Sequence, residues 1–317
     1  MPTAPDRLAA FHDFQRTELH IEQNLDAALE NIYRPLARQI MAAREATPGM
    51  LTMGVCGAQG SGKSTLANIL RFILQQEGLS VAALSIDDIY LPWADRRRIQ
   101  HENPGNPYYQ VSRGNPGTHD VRLGVKIISQ LRAADASAVT PIPAFDKSLH
   151  EGNGDRLPPD AWPTFRGRPD VFILEGWCVG MRSLPPAELR RLTQNVPEAL
   201  AFERERDPDG RYGEIVNERL REYEPLFDLI DRLVFLKTPS LAKVVQWRIK
   251  QERALRARTG RGMSDEQIGE FIRPYMLLSG IHGLQILGDC HYRLASTIVE
   301  LGEDQLPHRV TDCESSS

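Results

Sequence analysis

The chain has 317 residues, of which 41% are hydrophobic and 25% are charged, and its formal net charge at pH 7 is −4. These values are ordinary for a soluble globular protein, and the length allows one large α/β domain or two small ones. The negative net charge gives no general attraction to nucleic acid or anionic lipid, so we expect neither as a partner, and it leaves the oligomeric state open.

The cysteines and the first residues bear on the compartment. Cys56, Cys178, Cys290 and Cys313 are far apart and form no C-x-x-C pair, so the sequence predicts neither a zinc site nor a disulfide framework. The first residues mix acids with bases and contain no apolar run long enough for a signal peptide or a membrane span. We therefore expect a cytoplasmic protein.

The first elements along the chain predict an α/β fold with a parallel sheet. Residues 1–48 form a predicted helical N-terminal extension, with apolar residues at helical spacing. The apolar run "MLTMGVCG" predicts a strand, which a glycine-rich turn joins to the helix "STLANILRFILQQEG" and then to the strand "LSVAALSIDD". In such a βαβ unit, ligands bind at the carboxyl ends of the strands.

The following segments complete a predicted domain over residues 49–310. Residues 92–116 are rich in Pro, Gly, Asn and Arg, which favours an irregular loop. The remaining predicted elements are a helix from about His119 to Ala133, the strands "AVTPIPAFDKS", "VFILEGW", "DRLVFLKT" and "STIVELG", and helices at 213–228, at "SLAKVVQWRIKQERALRA" and from about Asp265. A second polar loop joins the first two of these strands. We expect residues 311–317 to be a disordered tail.

The stretch "GAQGSGKS" matches G-x-x-x-x-G-K-[ST] between a strand and a helix, which is the context that a phosphate-binding loop requires. Glycines let backbone N–H groups converge on phosphate oxygens, and the helix start adds its positive end. Lys63 would reach the β- and γ-phosphates, Ser64 would bind Mg²⁺, and Thr65 would support the α-phosphate. No N-K-x-D sequence occurs, which favours ATP over GTP. The predicted nucleotide-binding residues are Gly57, Ala58, Gln59, Gly60, Ser61, Gly62, Lys63, Ser64 and Thr65.

Carboxylates follow two of the predicted strands. Phosphoryl transfer to a hydroxyl group needs a carboxylate that orients or accepts its proton. Asp87 and Asp88 end the second strand, where one could cap a helix while the other acts in catalysis, and the sequence does not decide between them. Glu175, at the end of "VFILEG", is the candidate acid beside the magnesium ion, because Gly176 leaves that position open.

The stretch "RGNPGTHD" supplies groups suited to a small polyhydroxy acid. Arg113 offers a cation for a carboxylate, and His119 and Asp120 offer hydrogen-bond partners for hydroxyl groups. The alternative is a plain loop in which Thr118 or Asp120 caps the following helix. Lys147 in the second polar loop is a further candidate partner for an anion.

Several motifs together resemble one family. The phosphate loop, "SIDDIYL", "RGNPGTHD", "PAFDKSLHEGNGDR", "ILEGWCVG" and "RGMSDEQIGEF", in this order, resemble the D-glycerate 3-kinase group. That group belongs to the P-loop kinase superfamily, with uridine kinase, phosphoribulokinase and pantothenate kinase. The resemblance runs from about Leu51 to the end of the chain. It implies an ATP- and Mg²⁺-dependent kinase with a P-loop NTPase fold, whose small-molecule substrate is D-glycerate and whose product is 3-phosphoglycerate.

The resemblance also implies roles for single residues. Asp87 matches the acid three positions before the tyrosine of a D-x-x-Y element, which implies that it is the catalytic base and that Tyr90 lies at the substrate. Glu175 matches the acid of the E-G strand end near magnesium and the substrate. "PAFD" resembles the P-x-Y-D element of uridine kinases with Phe145 in place of the tyrosine, and Asp146 is a candidate contact to the acceptor.

An arginine-rich segment at about 248–265 resembles the lid that closes over ATP in this superfamily. Arginines there would stabilise charge on the transferred phosphoryl group. Arg248 and Arg253 are the preferred candidates, and a solvated helix face is the alternative for most of the set, which comprises Arg248, Arg253, Arg256, Arg258 and Arg261.

Two other functions stay open on the sequence alone. One is a kinase for another hydroxylated metabolite, such as a nucleoside or a pantothenate-like acid. The other is a regulatory ATP-binding protein without turnover. The presence of Lys63, Ser64, Asp87 and Glu175 argues against the second, because a binding module needs no catalytic base.

Overall fold

The computed structural model describes residues 4–110, 113–260, 262–292 and 294–313. The strands are β1 (Leu51–Gly57), β2 (Val81–Ser85), β3 (Val139–Pro141), β4 (Phe145–Asp146), β5 (Asp155–Arg156), β6 (Thr164–Arg166), β7 (Val171–Gly176), β8 (Arg232–Lys237), β9 (Thr297–Leu301) and β10 (Pro307–Asp312). The helices are α1 (Ala4–Thr17), α2 (Asp26–Ala28), α3 (Arg34–Ala46), α4 (Lys63–Gln76), α5 (Trp93–Glu102), α6 (Val121–Ala133), α7 (Pro186–Thr193), α8 (Pro197–Arg206), α9 (Arg211–Arg219), α10 (Glu224–Phe227), α11 (Leu241–Thr259), α12 (Asp265–Ile272) and α13 (Met276–Leu278). Two π-helical segments, Leu29–Tyr33 and Ser279–Leu287, continue α2 and α13.

The main sheet has six strands in the order β10-β9-β8-β1-β7-β2. All neighbouring strands are parallel except β10, which runs antiparallel to β9. Because β7 lies between β1 and β2, the carboxyl ends of these three strands are adjacent, and Glu175 pairs in register with Ser85. The predicted α/β fold with a parallel sheet flanked by helices is confirmed, and the sheet edge that carries the site is the expected one.

Both faces of the sheet are buried, which explains the continuous apolar character of the central strands. Alternate residues of β7 enter separate cores. Phe172 and Leu174 face the core that includes α6 and α9, whereas Val171 and Ile173 face α4 and the N-terminal helices. Helices therefore cover both faces of the sheet.

The N-terminal extension is helical and shares a core with α4. The ring of Phe14 stacks on that of Phe72, with 4.4 Å between centroids. Phe11, Leu29 and Leu36 are buried in the same cluster as the strand residue Leu51. Residues 4–46 thus form part of the layer on this face of the sheet.

The structure corrects the sequence analysis at several elements. Residues 92–116 contain the helix α5 and a short 3₁₀ turn, Pro107–Tyr109, where an irregular loop was predicted. The predicted strand "AVTPIPAFDKS" is divided between β3 and β4, which pair only with β6 and β5 outside the main sheet. Strand β10 was missed, and it includes Thr311 and Asp312, which the sequence analysis assigned to a disordered tail; residues 314–317 lie outside the described residues.

The cysteines differ from the prediction as well. Cys290 and Cys313 form a disulfide that joins the end of β10 to the turn after α13 and its π-helical continuation, while Cys56 and Cys178 are free and buried. The expectation of unpaired cysteines is therefore wrong for one pair, since residues 23 positions apart meet at the sheet edge. Among the described helices, none combines the length and the apolar character needed to cross a bilayer.

Candidate active site

The phosphate loop joins β1 to α4 as predicted. Gly60 and Gly62 have φ angles of +77° and +84°, in the left-handed region that L side chains rarely adopt. Gly62 is the N-cap of α4, so the loop ends at the positive end of a 14-residue helix. A Cβ atom on Gly57 would lie 2.5 Å from the Oγ atom of Ser61. The glycines are thus required by conformation and by close packing, and the remaining amides form a cradle suited to phosphate.

Ser64 and Glu175 face each other across this edge of the sheet. The Ser64 hydroxyl donates a hydrogen bond of 3.0 Å to Oε1 of Glu175. The other carboxylate oxygen, Oε2, is buried and has no hydrogen-bond partner among the described residues. A hydroxyl group and a carboxylate are hard oxygen ligands of the kind that Mg²⁺ prefers, and an ion bound here would take its other ligands from phosphate and water. The residues present therefore fit the predicted metal.

The two adjacent aspartates have different surroundings. Asp88 caps the 3₁₀ turn Ile86–Ile89, where its Oδ2 accepts from the amide of Ser85 at 3.2 Å. Its Oδ1 accepts from the amide of Phe145 at 3.3 Å. Burial, which outweighs these bonds, raises the pKa of Asp88 to about 6. Asp88 thus fulfils the capping role, and Asp87 is the carboxylate left for the cleft.

Asp87 lies among cationic groups. Its Oδ2 accepts from Nζ of Lys147 at 2.8 Å. Burial opposes ionisation, but the charge and hydrogen bond of Lys147, helped by Lys63 and His119, lower the pKa of Asp87 to about 2. The carboxylate is therefore ionised at neutral pH, ready to accept a hydrogen bond from an acceptor hydroxyl group.

Arg113 lies at the mouth of the same cleft. Its guanidinium donates to the carbonyl of Gly152 at 2.7 Å and lies 5.8 Å from the ring centroid of Phe145. The phenol of Tyr275 donates to the Arg113 carbonyl at 3.0 Å, which fixes the backbone. Burial and the charge of Asp87 raise the pKa of Tyr90 well above its ordinary value, whereas the charge of Arg113 lowers it. The loop therefore brings a cation close to the residues around Asp87.

His119 supports the site from behind. Its ring stacks on that of Tyr90 with 4.3 Å between centroids, and its Nδ1 lies 2.6 Å from the hydroxyl of Tyr223. Burial, only partly offset by the attraction of Asp87, lowers the pKa of His119 to about 3, so the ring is neutral. Its Nε2 is buried without a partner among the described residues. His119 thus lies behind Tyr90, and its contact with substrate stays a prediction.

Two predicted substrate contacts have structural partners instead. Asp120 is the N-cap of α6, accepting from the amide of Leu123 at 3.1 Å, and its other oxygen lies 2.9 Å from Arg156. Asp146 is partly exposed and accepts from the amide and hydroxyl of Ser148 at 2.8 and 2.6 Å. The capping alternative for Asp120 thus applies, and the side chain of Asp146 forms a local turn.

A buried arginine that the sequence analysis missed holds the cleft together. Arg96, on α5, is fully buried, and its guanidinium donates to the carbonyls of Leu91, Asn153 and Gly154. It also lies 5.2 Å from the ring centroid of Phe145. These bonds join the segment after Asp87 to the loop that carries Lys147. Sequence alone gave no signal, because Arg96 is one of three consecutive arginines in a polar segment.

The structure separates the lid arginines. Arg248 pairs with the buried Glu252 at 2.8 Å, and its backbone nitrogen would be 3.3 Å from a Cβ atom on Gly60, so it lies beside the phosphate loop. Arg253 is exposed and pairs with Asp265 at the start of α12, away from the loop. The side chain of Arg258 and the whole of Arg261 lie outside the described residues. Arg248 is therefore the lid cation that this conformation brings to the nucleotide side.

A cavity of about 370 Å³ opens beside the phosphate loop. One side of it is formed by Ser61, Gly62 and Thr65, and another by Lys250 and Ala254 of the lid helix α11. Because Thr65 is the predicted contact to the α-phosphate, the cavity lies where the nucleoside of a bound nucleotide would continue. Its volume is within the usual range of small-molecule sites.

Comparisons with known proteins find relatives that are named as kinases. An uncharacterised kinase of Schizosaccharomyces pombe, mug58, is 37% identical over 230 residues, covering 71% of this chain and 78% of that protein. The chloroplastic D-glycerate 3-kinase of Arabidopsis thaliana is 30% identical over 228 residues, 71% of this chain and 46% of its own length. The structure of D-glycerate 3-kinase from Cryptococcus neoformans matches with a TM-score of 0.77 and 26% identity, covering 89% of this chain and 99% of that one. No family model matches the chain.

Proposed function

Because the chain belongs to the D-glycerate 3-kinase family of P-loop kinases, we propose that it transfers the γ-phosphoryl group of ATP to the 3-hydroxyl group of D-glycerate. One observation carries the proposal. The ionised carboxylate of Asp87 stands at the same sheet edge as the phosphate loop, with Lys147 beside it, and Arg113 lies 5.8 Å from the ring centroid of Phe145, two residues before Lys147. A carboxylate for a hydroxyl group and cations for an acid match the two ends of this substrate.

The nucleotide side of the reaction is assigned to the phosphate loop. Its amides and Lys63 bind the phosphates, and Arg248 stabilises charge on the transferred group. Ser64 and Glu175 would hold Mg²⁺, which neutralises charge on the β- and γ-phosphate oxygens when bound. The hydrogen bond between the Ser64 hydroxyl and Glu175 supports this assignment, since it keeps both oxygen ligands at one point.

On the acceptor side, Asp87 orients the hydroxyl group toward the γ-phosphorus. A pKa of about 2 makes Asp87 a weak base, so its main contribution is position, and the hydroxyl proton passes to the Asp87 carboxylate only late, as the new O–P bond forms. The bond between the γ-phosphorus and the bridging oxygen breaks, and ADP is released. Lys147, at 2.8 Å, holds the Asp87 carboxylate in this position.

The test is an ADP-release assay with ATP and Mg²⁺. The acceptors are D-glycerate, L-glycerate, uridine, pantothenate and ribulose 5-phosphate. Asp87→Asn keeps the shape of the side chain and removes its charge, and we expect kcat to fall by about 10² to 10⁴. Asp135→Asn, at an exposed turn after α6, is the same substitution away from the cleft, and we expect kcat within about threefold of the wild type, because its hydrogen bonds end on Oδ1, which Asn keeps.

Turnover of D-glycerate alone, lost in Asp87→Asn, is the expected result. Turnover of uridine or pantothenate instead of D-glycerate would refute the proposed acceptor but leave the assignment of kinase activity in place. Nucleotide binding without turnover of any acceptor would favour the regulatory alternative.

A further inference from the structure

The cavity beside the phosphate loop has a third wall, which comes from the N-terminal extension. His20, Ile21, Gln23 and Leu25, between α1 and α2, line it opposite the lid helix. This short segment lies outside the βαβ unit that the phosphate-loop motif defines. It nevertheless borders the space that adjoins Gly62 and Thr65.

We infer that residues 20–25 form the surface on which the adenine base of the nucleotide packs. The inference rests on the proposed function insofar as it takes a nucleotide as the ligand. It adds that the extension, and not only the kinase core, determines how tightly and how selectively the nucleotide binds.

The walls of the cavity suit a flat aromatic base. Ile21 and Leu25 of the extension face a space that also contacts Leu66 of α4, Leu236 of β8 and Val299 of β9. Purine rings are held in proteins by apolar walls with a few polar groups at the edge. Because the cavity is apolar on several sides, the base buries its apolar surface there on binding, whereas the triphosphate binds to the amides of the phosphate loop.

The polar groups at the cavity favour adenine over guanine. The side chains of Gln23, Gln251 and Gln305 carry amides, which both donate and accept, as the N6 amine and N1 of adenine require. Guanine presents adjacent N–H donors that a carboxylate would satisfy. None of the described residues that line the cavity is Asp or Glu.

The segment is held in a fixed conformation by one buried side chain. Gln15, on α1, donates from Nε2 to the carbonyls of Ile21 and Gln23, at 2.9 Å each. The backbone carbonyl of Gln15 accepts a further hydrogen bond from the backbone amide of Ile21, at 3.2 Å. Three hydrogen bonds therefore fix the wall before any ligand binds, which lowers the entropic cost of binding.

Gln305, on another side of the cavity, is hydrogen-bonded to the phosphate loop. Gln305, in the turn between β9 and β10, has a φ of +70°, unusual for a residue with a side chain, and its amide donates to the carbonyl of Gly60. Such a strained residue persists where the surroundings hold it in place. The cavity and the phosphate loop thus form one continuous, preorganised surface.

The experiment measures equilibrium binding to the full-length chain by calorimetry, with Mg²⁺ and no acceptor. The ligands are ATP, GTP and inorganic tripolyphosphate, which has the charges of the nucleotide and no base. The variants are Ile21→Ala, which removes the wall, and Gln15→Ala, which loosens it. Leu8→Ala is the matched control, because Leu8 packs against the same core and does not line the cavity.

We expect Ile21→Ala to weaken ATP about tenfold and Gln15→Ala severalfold, with tripolyphosphate unchanged in both. Leu8→Ala should bind ATP as the wild type does, and the wild type should prefer ATP to GTP. Unchanged ATP affinity in Ile21→Ala, an equal loss in Leu8→Ala, or a parallel loss of tripolyphosphate would overturn the inference. Equal affinity for GTP would overturn its adenine part. A wild-type chain that binds no ATP would instead overturn the proposed function.

Discussion

Lys147→Met tests whether one loop cation controls the ionisation of Asp87. The structure sets Nζ of Lys147 2.8 Å from Oδ2 of Asp87, with 62% of the Lys147 side chain and 30% of that of Asp87 exposed. The pKa of Asp87 is lowered from 3.8 to about 2, which corresponds to about 2.5 kcal/mol. Solvent around Lys147 screens the pair, so we expect about 1 kcal/mol to be measurable.

The sign of the pH dependence follows from the direction of this shift. Because the pKa of Asp87 is lower in the folded protein than in the unfolded chain, the pair stabilises the fold above about pH 4. That contribution is lost as the pH falls through 2. Urea unfolding should therefore show Lys147→Met to be less stable than wild type by about 1 kcal/mol at pH 7, and the difference should shrink as the pH falls from 4 toward 2.

The pH dependence of kcat/KM tests the same substitution more directly than unfolding does. Without Lys147 the pKa of Asp87 rises, so the acidic limb of kcat/KM for the acceptor should move up by about 0.7 pH unit, the equivalent of about 1 kcal/mol. Lys126→Met, on the exposed face of α6, is the same substitution at a distance from the cleft and should leave the limb in place. An acidic limb in Lys147→Met that coincides with that of the wild type would refute this account of Asp87.

Two further substitutions test how the acceptor loops are held. Arg96→Met removes three hydrogen bonds to carbonyls and should lower the free energy of unfolding by about 3 kcal/mol, measured in urea, and raise the acceptor KM; a purely destabilised enzyme would keep its KM. Gly114→Ala adds a Cβ atom 2.1 Å from the hydroxyl of Tyr275, at a φ of +118°. It should raise the KM for the acceptor at least about tenfold and leave the KM for ATP unchanged. Equal changes in the two KM values would contradict the placement of this loop.

Sequence was sufficient where a local pattern reflects the chemistry directly. The phosphate loop, α4 and the strand ending in Glu175 follow from glycine spacing and from runs of apolar residues, which the structure confirms. Helix α5 could not be predicted in this way. It is polar over most of its length, and its one fully buried side chain is that of Arg96, which donates to the carbonyls of Asn153 and Gly154, more than fifty residues away.

The same distinction applies to the side chains of the site. Asp87 and Asp88 are equivalent in the sequence, and they differ because Ser85 and Phe145 present amides to Asp88 whereas Lys147 pairs with Asp87. His119 fits a substrate contact by its chemistry, yet its burial behind Tyr90 depends on residues far along the chain. Long-range packing decides such roles, and local spacing does not encode it.

The central position of β1 has a consequence for how the molecule is made. Leu51 on β1 pairs with Val171, and Met53 pairs with Arg232, both more than a hundred residues later in the chain. During synthesis β1 therefore stays unpaired until β7 and β8 have been made, when most of the protein has left the ribosome. Folding should be slow, as in other topologies dominated by distant pairings, and a nascent chain halted after residue 170 should stay sensitive to protease.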